Sequence, residues 1–344
     1  MKAAVLTGVG RVEIRDVPRP PLKNADDVLL KTTRAGLCGS DLHYFIADRV
    51  GSEKVAYPAV VGHECAAVVE AVGRKVTRFK PGDRVAVEPA ISCGACDQCR
   101  SGRPNTCRKI RFLGHPSEMD GCLAEYFVMP ERNCLRLPEN VSPAQAVLSE
   151  PFSIALHAVQ FWPGDRTQTM AVLGTGPIGL CVLIAARLNG VHDLFATDKV
   201  KERTEAARRA GAPWAGNPDR EDIVQAILTQ RPLGLDAVFE CCGDQAALDQ
   251  AVELLKPGGM LVFVGIPLEE RVSFPSRVIR RKEIRIQNVR RQNRCAEKAI
   301  DLIACGRVDI DFLGTHTFPL EEAQAAFETA AYRRAGALKT MIAF

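Results

Sequence analysis

The chain has 344 residues, of which 47% are hydrophobic and 25% are charged, and its formal net charge is +4. This composition is ordinary for a globular protein of about two domains. It excludes a disordered chain, a collagen-like repeat and a disulfide-rich miniprotein. With 45 basic and 41 acidic residues, we expect neither nucleic acid nor a membrane surface as a partner.

The first residues contain an apolar run of only four residues, Ala3 to Leu6. Such a run is too short for the core of a signal peptide, and nowhere do ~18 uncharged apolar residues follow one another as in a membrane span. We therefore expect a cytoplasmic protein. In a reducing compartment, the 13 cysteines favour metal binding or catalysis over disulfides.

Three zones follow one another along the chain. Residues 1–150 contain short β-like runs separated by Gly, Pro and polar turns, which predicts a β-rich domain. Residues 151–289 alternate strands and helices, which predicts βαβ units and a parallel sheet. Residues 290–344 are mixed again, with helices predicted near Cys295–Cys305 and near Leu320–Ala331.

Strands and helices alternate clearly in the middle zone. An apolar helix, Ile178–Asn189, is predicted after the first strand, and a charged helix ending at Gly211 is predicted after the second. The predicted strands are Met170–Leu173, Leu194–Thr197, Ala237–Glu240 and Met260–Val264.

A glycine-rich loop joins the first of these strands to the apolar helix. Gly174, Gly176 and Gly179 form a GxGxxG motif, which suits a tight turn, close approach of a pyrophosphate and close packing of helix on strand. The second strand ends in Asp198, which is placed to accept hydrogen bonds from ribose hydroxyls. Its charge would repel a 2′-phosphate, which favours NAD over NADP, although Lys199 follows directly. The alternative is that Asp198 only ends a strand in a solvated loop.

Four cysteines lie close together in the segment CGACDQCRSGRPNTC. Two successive two-residue gaps and a third gap of seven residues allow four thiolates to surround one ion, as in a structural zinc site. The alternatives are two disulfides or four unrelated thiols, and a nucleic-acid zinc finger would need paired knuckles and a basic recognition helix. We expect Arg100, Arg103, Arg108 and Lys109 to offset the thiolate charge. The four cysteines are Cys93, Cys96, Cys99 and Cys107.

Three further segments carry potential metal ligands that are far apart in sequence. They are GLCGSDLHY with Cys38, GHE with His63 and Glu64, and LSEPFSIALHA with Glu150. One thiolate, one imidazole and carboxylates suit a zinc ion with an open position. Spacing alone does not distinguish such ligands from structural side chains.

Taken together, these motifs resemble the zinc-dependent medium-chain dehydrogenase/reductase family, and most of all its polyol (sorbitol/xylitol) dehydrogenase branch. The resemblance extends over essentially the whole chain, from GLCGSDLHY and VVGHE through KPGDRVAVEP and GTGPIG to THTFPLEEAQAAFE. It implies an α/β protein with a GroES-like β-rich catalytic domain and a Rossmann domain with a doubly wound parallel sheet. The catalytic domain would comprise residues 1–150, with the zinc lobe at 93–107, and residues 290–344, whereas the Rossmann domain would comprise 151–289.

The resemblance also implies roles for individual residues. Cys38, His63 and Glu64 correspond to the catalytic zinc set, and Glu150 to a carboxylate that binds this zinc or holds its water. A second, structural zinc belongs to the four-cysteine lobe. Further catalytic and substrate positions are Ser40 and His43 for proton relay, Tyr44 in the substrate pocket, and Arg290 between substrate and cofactor.

The cofactor expected from this resemblance is NAD. Arg203 corresponds to a partner on the adenosine side, whereas the stretch after the fourth strand lies along the cofactor. The complete set is Gly174, Gly176, Pro177, Ile178, Gly179, Asp198, Arg203, Val264, Gly265, Ile266, Val289 and Arg290.

Two positions depart from the family pattern. Ala67 stands where a glycine is usual, and its methyl group is tolerable if the backbone there is extended. Arg291 stands where polyol enzymes usually have tyrosine. A second guanidinium favours an acidic or phosphorylated substrate, whereas the alternative is a solvated charge.

The resulting hypothesis is zinc-dependent transfer of a hydride from a secondary alcohol of a polyol to NAD, which gives a ketose. The alternatives are a related enzyme acting on threonine, butanediol, an aldose or a sugar acid, or a cofactor-binding structural or regulatory protein. We expect a homodimer or homotetramer, with Val272–Phe274 and Glu283–Val289 as candidate pairing edges. The remaining cysteines are expected to be buried apolar groups: Cys65, Cys122, Cys134, Cys181, Cys241, Cys242, Cys295 and Cys305. The histidines His115, His157, His192 and His316 are expected to be structural.

Overall fold

The computed structural model describes residues 1–50, 53–162, 164–165 and 167–344. It divides into two compact units. Unit 1 comprises Met1–Glu150 and Ala296–Phe344, and unit 2 comprises Pro151–Cys295. Cys295 belongs to unit 2, and its thiol accepts a hydrogen bond from Gln160 of the same unit.

Strands and helices follow one another along the described residues. In chain order, the strands are β1 (Lys2–Gly8), β2 (Arg11–Asp16), β3 (Asp27–Gly36), β4 (Arg49–Val50), β5 (Glu53–Lys54), β6 (Ala59–Val60), β7 (Glu64–Val72), β8 (Arg84–Val87), β9 (Ala90–Ile91), β10 (Arg111–Phe112), β11 (Tyr126–Pro130), β12 (Cys134–Arg136), β13 (Thr169–Leu173), β14 (Asp193–Thr197), β15 (Trp214–Gly216), β16 (Leu235–Glu240), β17 (Leu255–Phe263), β18 (Arg285–Asn288), β19 (Gly314–Pro319) and β20 (Lys339–Ala343). The α-helices are α1 (Gly39–Ile46), α2 (Asp97–Arg100), α3 (Pro143–Phe161), α4 (Pro177–Leu188), α5 (Lys201–Arg209), α6 (Ile223–Gln230), α7 (Gln245–Leu254), α8 (Ser276–Arg281), α9 (Ala296–Ala304) and α10 (Ala323–Ala331).

Unit 1 is built on a seven-stranded sheet. Six of its strands lie in the order β12-β8-β7-β3-β20-β19, and β11 also pairs with β3. The pairs are antiparallel except β19 with β20. Strand β20 is formed by the end of the chain, and Met341 on it faces Gly36 on β3, which in turn faces Glu64 on β7. Residues from both ends of the chain therefore meet at β3.

A continuous apolar core lies against the strands of unit 1. Phe45, Phe127 and Phe327 are buried together with aliphatic residues of β1, β3 and β7. Ala67 is buried within β7 and pairs with Thr32, so its backbone is extended, as its methyl group requires.

Unit 2 contains six parallel strands in the order β15-β14-β13-β16-β17-β18. This is the doubly wound order, in which the first strand lies beside the fourth. The apolar side chains of β13 and β16 are fully buried, as expected for parallel strands covered on both faces. The predicted α/β fold, with a β-rich domain and a Rossmann-type sheet, is confirmed.

Of the two segments proposed as sheet edges, one contains a strand and the other does not. The segment Glu283–Val289 contains β18, which forms one edge of the six-stranded sheet. Val272–Phe274 is not a strand, because both backbone groups of Ser273 are bonded to the side chain of Gln245. Among the described residues, no helix has the length and apolar character needed to cross a membrane.

Candidate functional site

The four-cysteine lobe lies in unit 1, around the short helix α2. The Sγ atoms of Cys93, Cys96, Cys99 and Cys107 all lie within 4.8 Å of one another. The Cys96–Cys99, Cys96–Cys107 and Cys93–Cys99 sulfur distances are 3.5, 3.9 and 4.0 Å. Zinc bonded to four thiolates at about 2.3 Å requires sulfur separations of about 3.8 Å. The lobe therefore fits a tetrahedral zinc ion.

Backbone amides polarise these thiols. The amide of Cys93 donates to the Cys107 sulfur at 3.2 Å, and that of Lys109 at 3.4 Å. Hydrogen bonds from the backbone of Arg108 and Cys99 lower the pKa of Cys96 to about 6. The guanidinium of Arg108 forms two hydrogen bonds to the Asp97 carboxylate, at 2.6 and 2.9 Å. Asp97 and, to a smaller extent, the charge of Cys96 raise the pKa of Arg108.

A second group of ligand-type side chains lies in the same unit. Cys38, His63 and Glu64 offer a sulfur, a ring nitrogen and a carboxylate oxygen within 4.8 Å of one another. Cys38 is half-buried, whereas His63 and Glu64 are buried. Three donors of this chemistry fit a catalytic zinc ion, which keeps one coordination position open.

Asp41 holds this group in place. Its carboxylate accepts hydrogen bonds from the amides of Cys38 at 2.9 Å and Gly62 at 3.2 Å, and it lies 3.7 Å from Nδ1 of His63. Nδ1 therefore faces a carboxylate, which leaves Nε2 for a metal ion. Gly62 has a φ of 95°, a conformation that favours glycine. The sequence analysis missed Asp41, although its position three residues after Cys38 is that of a helix-capping carboxylate.

Lys339 is the second residue that the sequence analysis missed. Its ammonium donates to both carboxylate oxygens of Glu64, at 2.7 and 2.6 Å, and to the carbonyl of Leu37 at 3.0 Å. Burial opposes its charge, but Glu64 and Cys38 raise the pKa of Lys339 above its ordinary value. Both partners of this ion pair are almost completely buried.

Glu150 ends the first segment of unit 1, on helix α3. Burial raises the pKa of Glu150 to about 8, and the charges of Glu64 and Glu88 act in the same direction, whereas His63 opposes them. Among the described residues, Glu150 is not part of the group that lies within 4.8 Å. Its charge nevertheless acts on Cys38, whose pKa is raised well above its ordinary value, mainly by burial.

Helix α1 begins directly after Cys38 and carries Ser40, His43 and Tyr44. These residues are three and four positions apart, so they lie on one face of the helix. Nδ1 of His43 is buried and has no hydrogen-bond partner among the described residues, and burial lowers the pKa of His43. The ring of Tyr44 contacts His115 edge-on, with ring centroids 6.3 Å apart. His115 is therefore a neighbour of the predicted pocket residue Tyr44.

The glycine-rich loop of unit 2 has the predicted geometry between β13 and α4. Gly174 has a φ of 89°, and a side chain there would lie 2.6 Å from Cβ of Cys242. A side chain on Gly179 would collide with the carbonyl of Gly174. Helix α4 starts at Pro177, with Gly176 as its N-cap and Ile178 in its first turn. The loop therefore leaves the helix N-terminus accessible to a phosphate.

Asp198 lies beside this loop at the end of β14. Its two oxygens accept hydrogen bonds from the amides of Thr175 and Val200, both at 2.9 Å. Arg203 lies 3.8 Å from the same carboxylate, and a side chain on Gly176 would lie 3.5 Å from its guanidinium. Asp198 therefore organises the loop and does not merely end a strand in solvent.

The other predicted cofactor residues follow β17 and β18 at the same carboxyl edge of the sheet. The amides of Val264 and Gly265 donate to the carbonyl of Glu240, at 2.8 and 3.0 Å, and that of Val289 donates to Phe263 at 2.9 Å. Ile266 is 52% exposed. Arg290 follows Val289 directly and is exposed.

Glu240 is a third residue that the sequence analysis missed. One carboxylate oxygen accepts hydrogen bonds from the amides of Cys242 at 2.7 Å and Gly243 at 2.6 Å. The other oxygen is buried and has no hydrogen-bond partner in the part of the chain that the structure describes. A side chain on Gly265 would collide with that second oxygen and with Gly243. Glu240 therefore shapes the turns around the cofactor residues.

Arg291 has a φ of 54° and is half-buried, so it is not a freely solvated charge. No disulfide joins any of the 13 cysteines, all of which are described residues, and this argues against the disulfide alternative. The expectation that the remaining cysteines are all buried is wrong for Cys242 and Cys305, which are exposed, and for Cys241, which is half-buried. Cys242 lies in the turn after β16, and Cys305 lies at the end of α9.

Comparisons with known proteins agree with this geometry. Residues 24–139 match the model of the alcohol dehydrogenase GroES-like domain, and residues 177–305 match that of the zinc-binding dehydrogenases.

Individual relatives match along nearly the whole chain. Sorbitol dehydrogenase of Bacillus subtilis is 37% identical, with 99% of this chain and 97% of the relative covered. D-xylulose reductase A of Aspergillus oryzae is 35% identical, with 98% and 95% covered. The solved structure of an alcohol dehydrogenase from Thermus sp. ATN1 superposes with a TM-score of 0.90 at 31% identity and covers 100% of this chain and 99% of its own.

Proposed function

Because the chain belongs to the zinc-dependent medium-chain dehydrogenase/reductase family, we propose that it oxidises a secondary alcohol of a polyol to a ketone, with hydride transfer to NAD. The observation that carries this proposal is the group formed by Cys38, His63 and Glu64, which offers three donors of different chemistry. The relatives named as sorbitol dehydrogenase and D-xylulose reductase favour a polyol as substrate and a ketose as product.

Two zinc ions per chain follow from the two groups of ligands. The four-cysteine lobe would hold one ion and stabilise the fold, since its four thiols leave no open position. Cys38, His63 and Glu64 would hold the other, with Glu150 as a further ligand or as the acceptor for its water. When bound there, zinc supplies Lewis acidity toward a substrate hydroxyl.

The residues of helix α1 would remove the proton of the substrate hydroxyl. Ser40 and His43 lie one helical turn apart, which suits a relay from the site to solvent. Burial lowers the pKa of His43, so its ring is neutral at physiological pH and accepts a proton. Tyr44, next to His43, would line the substrate pocket.

Unit 2 would bind NAD at the carboxyl edge of its sheet. The pyrophosphate would lie at the N-terminus of α4, where Gly176 allows close approach. Asp198 would accept hydrogen bonds from the adenosine ribose and repel a 2′-phosphate, with Arg203 beside it. The stretch Val264–Ile266 together with Val289 would contact the rest of the cofactor, and the resemblance assigns Arg290 to both substrate and cofactor.

We propose that the chain forms a homodimer or homotetramer through β18. Among the described strands, β18 pairs only with β17, so its other edge carries unpaired backbone groups, and Ile286 on it is exposed. A reducing, cytoplasmic location would keep the thiols of the four-cysteine lobe available for a metal ion.

The proposed reaction is tested by NADH formation with sorbitol, xylitol, threonine, butanediol and sugar acids, with and without a zinc chelator. Turnover of a polyol that the chelator abolishes is the expected result. Turnover of an acidic substrate alone would assign the specificity to Arg291, whose half-buried guanidinium favours that second candidate. Binding of NAD without any turnover would contradict the enzymatic function.

A further inference from the structure

Lys339 is a buried lysine next to the candidate metal ligands, and its ammonium group forms three hydrogen bonds. An ammonium has three donor hydrogens, and Lys339 has three acceptors, namely both carboxylate oxygens of Glu64 and the carbonyl of Leu37. The side chains of Lys339 and Glu64 are only 2% and 1% exposed. The position of Lys339 is therefore fixed on the side of Glu64 where it contacts both oxygens.

A purely structural role accounts poorly for this arrangement. Lysine is almost never fully buried without a partner, and a buried ion pair is often no more stabilising than apolar residues of the same volume. The pair lies where three strands meet, with Met341 of β20 facing Gly36 and Gly36 facing Glu64. An apolar pair would fill the same space, so the charge of Lys339 calls for another explanation.

The charges around Lys339 are predominantly negative. The carboxyl groups of Glu64 and Glu150 and the thiol of Cys38 all act on Lys339 in the same direction, and the Cys38 thiol must ionise to bind a metal. Lys339 supplies a further positive charge without occupying a coordination position.

We propose that Lys339 is a positioning residue that holds Glu64 and weakens this carboxylate as a zinc ligand, so that a coordination position stays available to the substrate. An acceptor next to a histidine ligand increases the basicity of that ligand. Lys339 is a cation on both oxygens and acts in the opposite direction. The inference rests on the proposed function, since it requires a metal ion between Cys38, His63 and Glu64.

The test compares K339M and K339R with the wild-type protein, each loaded with zinc. Release of zinc to a chromophoric chelator is followed, and the zinc of the four-cysteine lobe serves as an internal reference. In K339M, Glu64 binds the metal more strongly, so we expect about 10-fold slower release from the catalytic position, together with reduced turnover. K339R keeps a cation that can bind both oxygens, so its release rate should stay close to that of the wild type.

Cobalt substitution provides a spectroscopic readout that does not depend on turnover. The visible absorption of Co²⁺ in K339M should change toward that of a higher coordination number, whereas K339R should retain the wild-type spectrum. Release from K339M at the wild-type rate or faster, or an unchanged cobalt spectrum, would overturn the proposal.

A second pair of variants covers the case in which K339M does not fold. E64Q and E64Q/K339M both lack the Glu64 charge, so Lys339 has no carboxylate left to weaken, and their zinc release rates should be equal. A difference between them would refute an action through Glu64. A wild-type protein that holds only the lobe zinc, or that oxidises no alcohol, would instead refute the proposed function.

Discussion

The carboxylate of Glu64 on β7 lies where a side chain at Gly36 on β3 would otherwise be. The two residues face each other in the sheet, and a side chain on Gly36 would collide with Glu64 Oε2 and lie 2.6 Å from Cγ1 of Val147. The φ of Gly36 is not positive, so the need for glycine at this position is one of space and not of backbone conformation. The orientation of the Glu64 side chain thus depends on the lack of a Cβ atom at Gly36.

Replacing Gly36 with alanine should therefore displace the Glu64 carboxylate. We expect Gly36→Ala to lower the free energy of unfolding by about 1–3 kcal/mol, as for other overpacked cores, and to weaken zinc binding at the catalytic position. Metal analysis and thermal unfolding check this. Gly8→Ala is a matched control, because a side chain there meets nothing within 4 Å. Equal zinc content and stability in the two variants would contradict the prediction.

Replacing Cys107 with serine should remove the zinc ion of the lobe. The Cys107 sulfur is buried and accepts hydrogen bonds from two backbone amides. Its loss therefore removes the buried ligand of the site. We expect one zinc ion fewer per chain and a lower melting temperature, because metal binding at a structural site contributes directly to folding. Cys305→Ser is the control, since Cys305 is exposed outside both ligand groups. Full zinc content in Cys107→Ser would show that the lobe does not hold the ion.

Asp198 should control both the affinity for NAD and the discrimination against NADP. In Asp198→Ala the amides of Thr175 and Val200 lose a charged acceptor, and such hydrogen bonds contribute about 1.5–3 kcal/mol each. We expect NADH to bind roughly 10-fold or more weakly and the preference over NADPH to shrink, as measured by fluorescence titration. Glu205→Gln, an exposed position on α5, serves as the control. An unchanged NADH to NADPH affinity ratio would contradict this role.

The stability of unit 2 should depend on pH through Glu240. Burial raises the pKa of Glu240 above its ordinary value, so the folded state binds this proton more tightly than the unfolded state. The stabilisation is complete below the pKa of the unfolded state and is lost as the pH rises through the folded pKa. Glu240→Gln keeps an acceptor for Cys242 and Gly243, so its unfolding free energy should fall less with rising pH than that of the wild type. Denaturant unfolding between pH 4 and 8 measures this, and parallel curves would refute it.

The parts of the site that lie close together in sequence are the parts that could be predicted. The GxGxxG motif occupies six consecutive positions, 174–179, which run from the end of β13 into the first turn of α4. The four cysteines lie within one short lobe. Their geometry depends on local turns, which are determined by the residue types themselves. The doubly wound sheet also followed from the alternation of short apolar strands with helices.

The supporting residues could not be predicted in this way. Lys339 lies 275 residues from Glu64, and they meet because β20 and β7 pair with the two edges of β3. Asp41 and Glu240 resemble ordinary capping and strand-end carboxylates until their buried partners are known. The exposed position of Cys242 likewise depends on a turn whose shape is set by Glu240.

The central claim is that a zinc ion held by Cys38, His63 and Glu64 is required for oxidation of a polyol. The most direct measurement is zinc content and NADH formation on the same sample of Cys38→Ser and of the wild type. We predict two zinc ions and polyol turnover for the wild type, and one retained zinc ion, an intact fold and no turnover for Cys38→Ser. Full polyol turnover by Cys38→Ser with a single zinc ion would contradict the account.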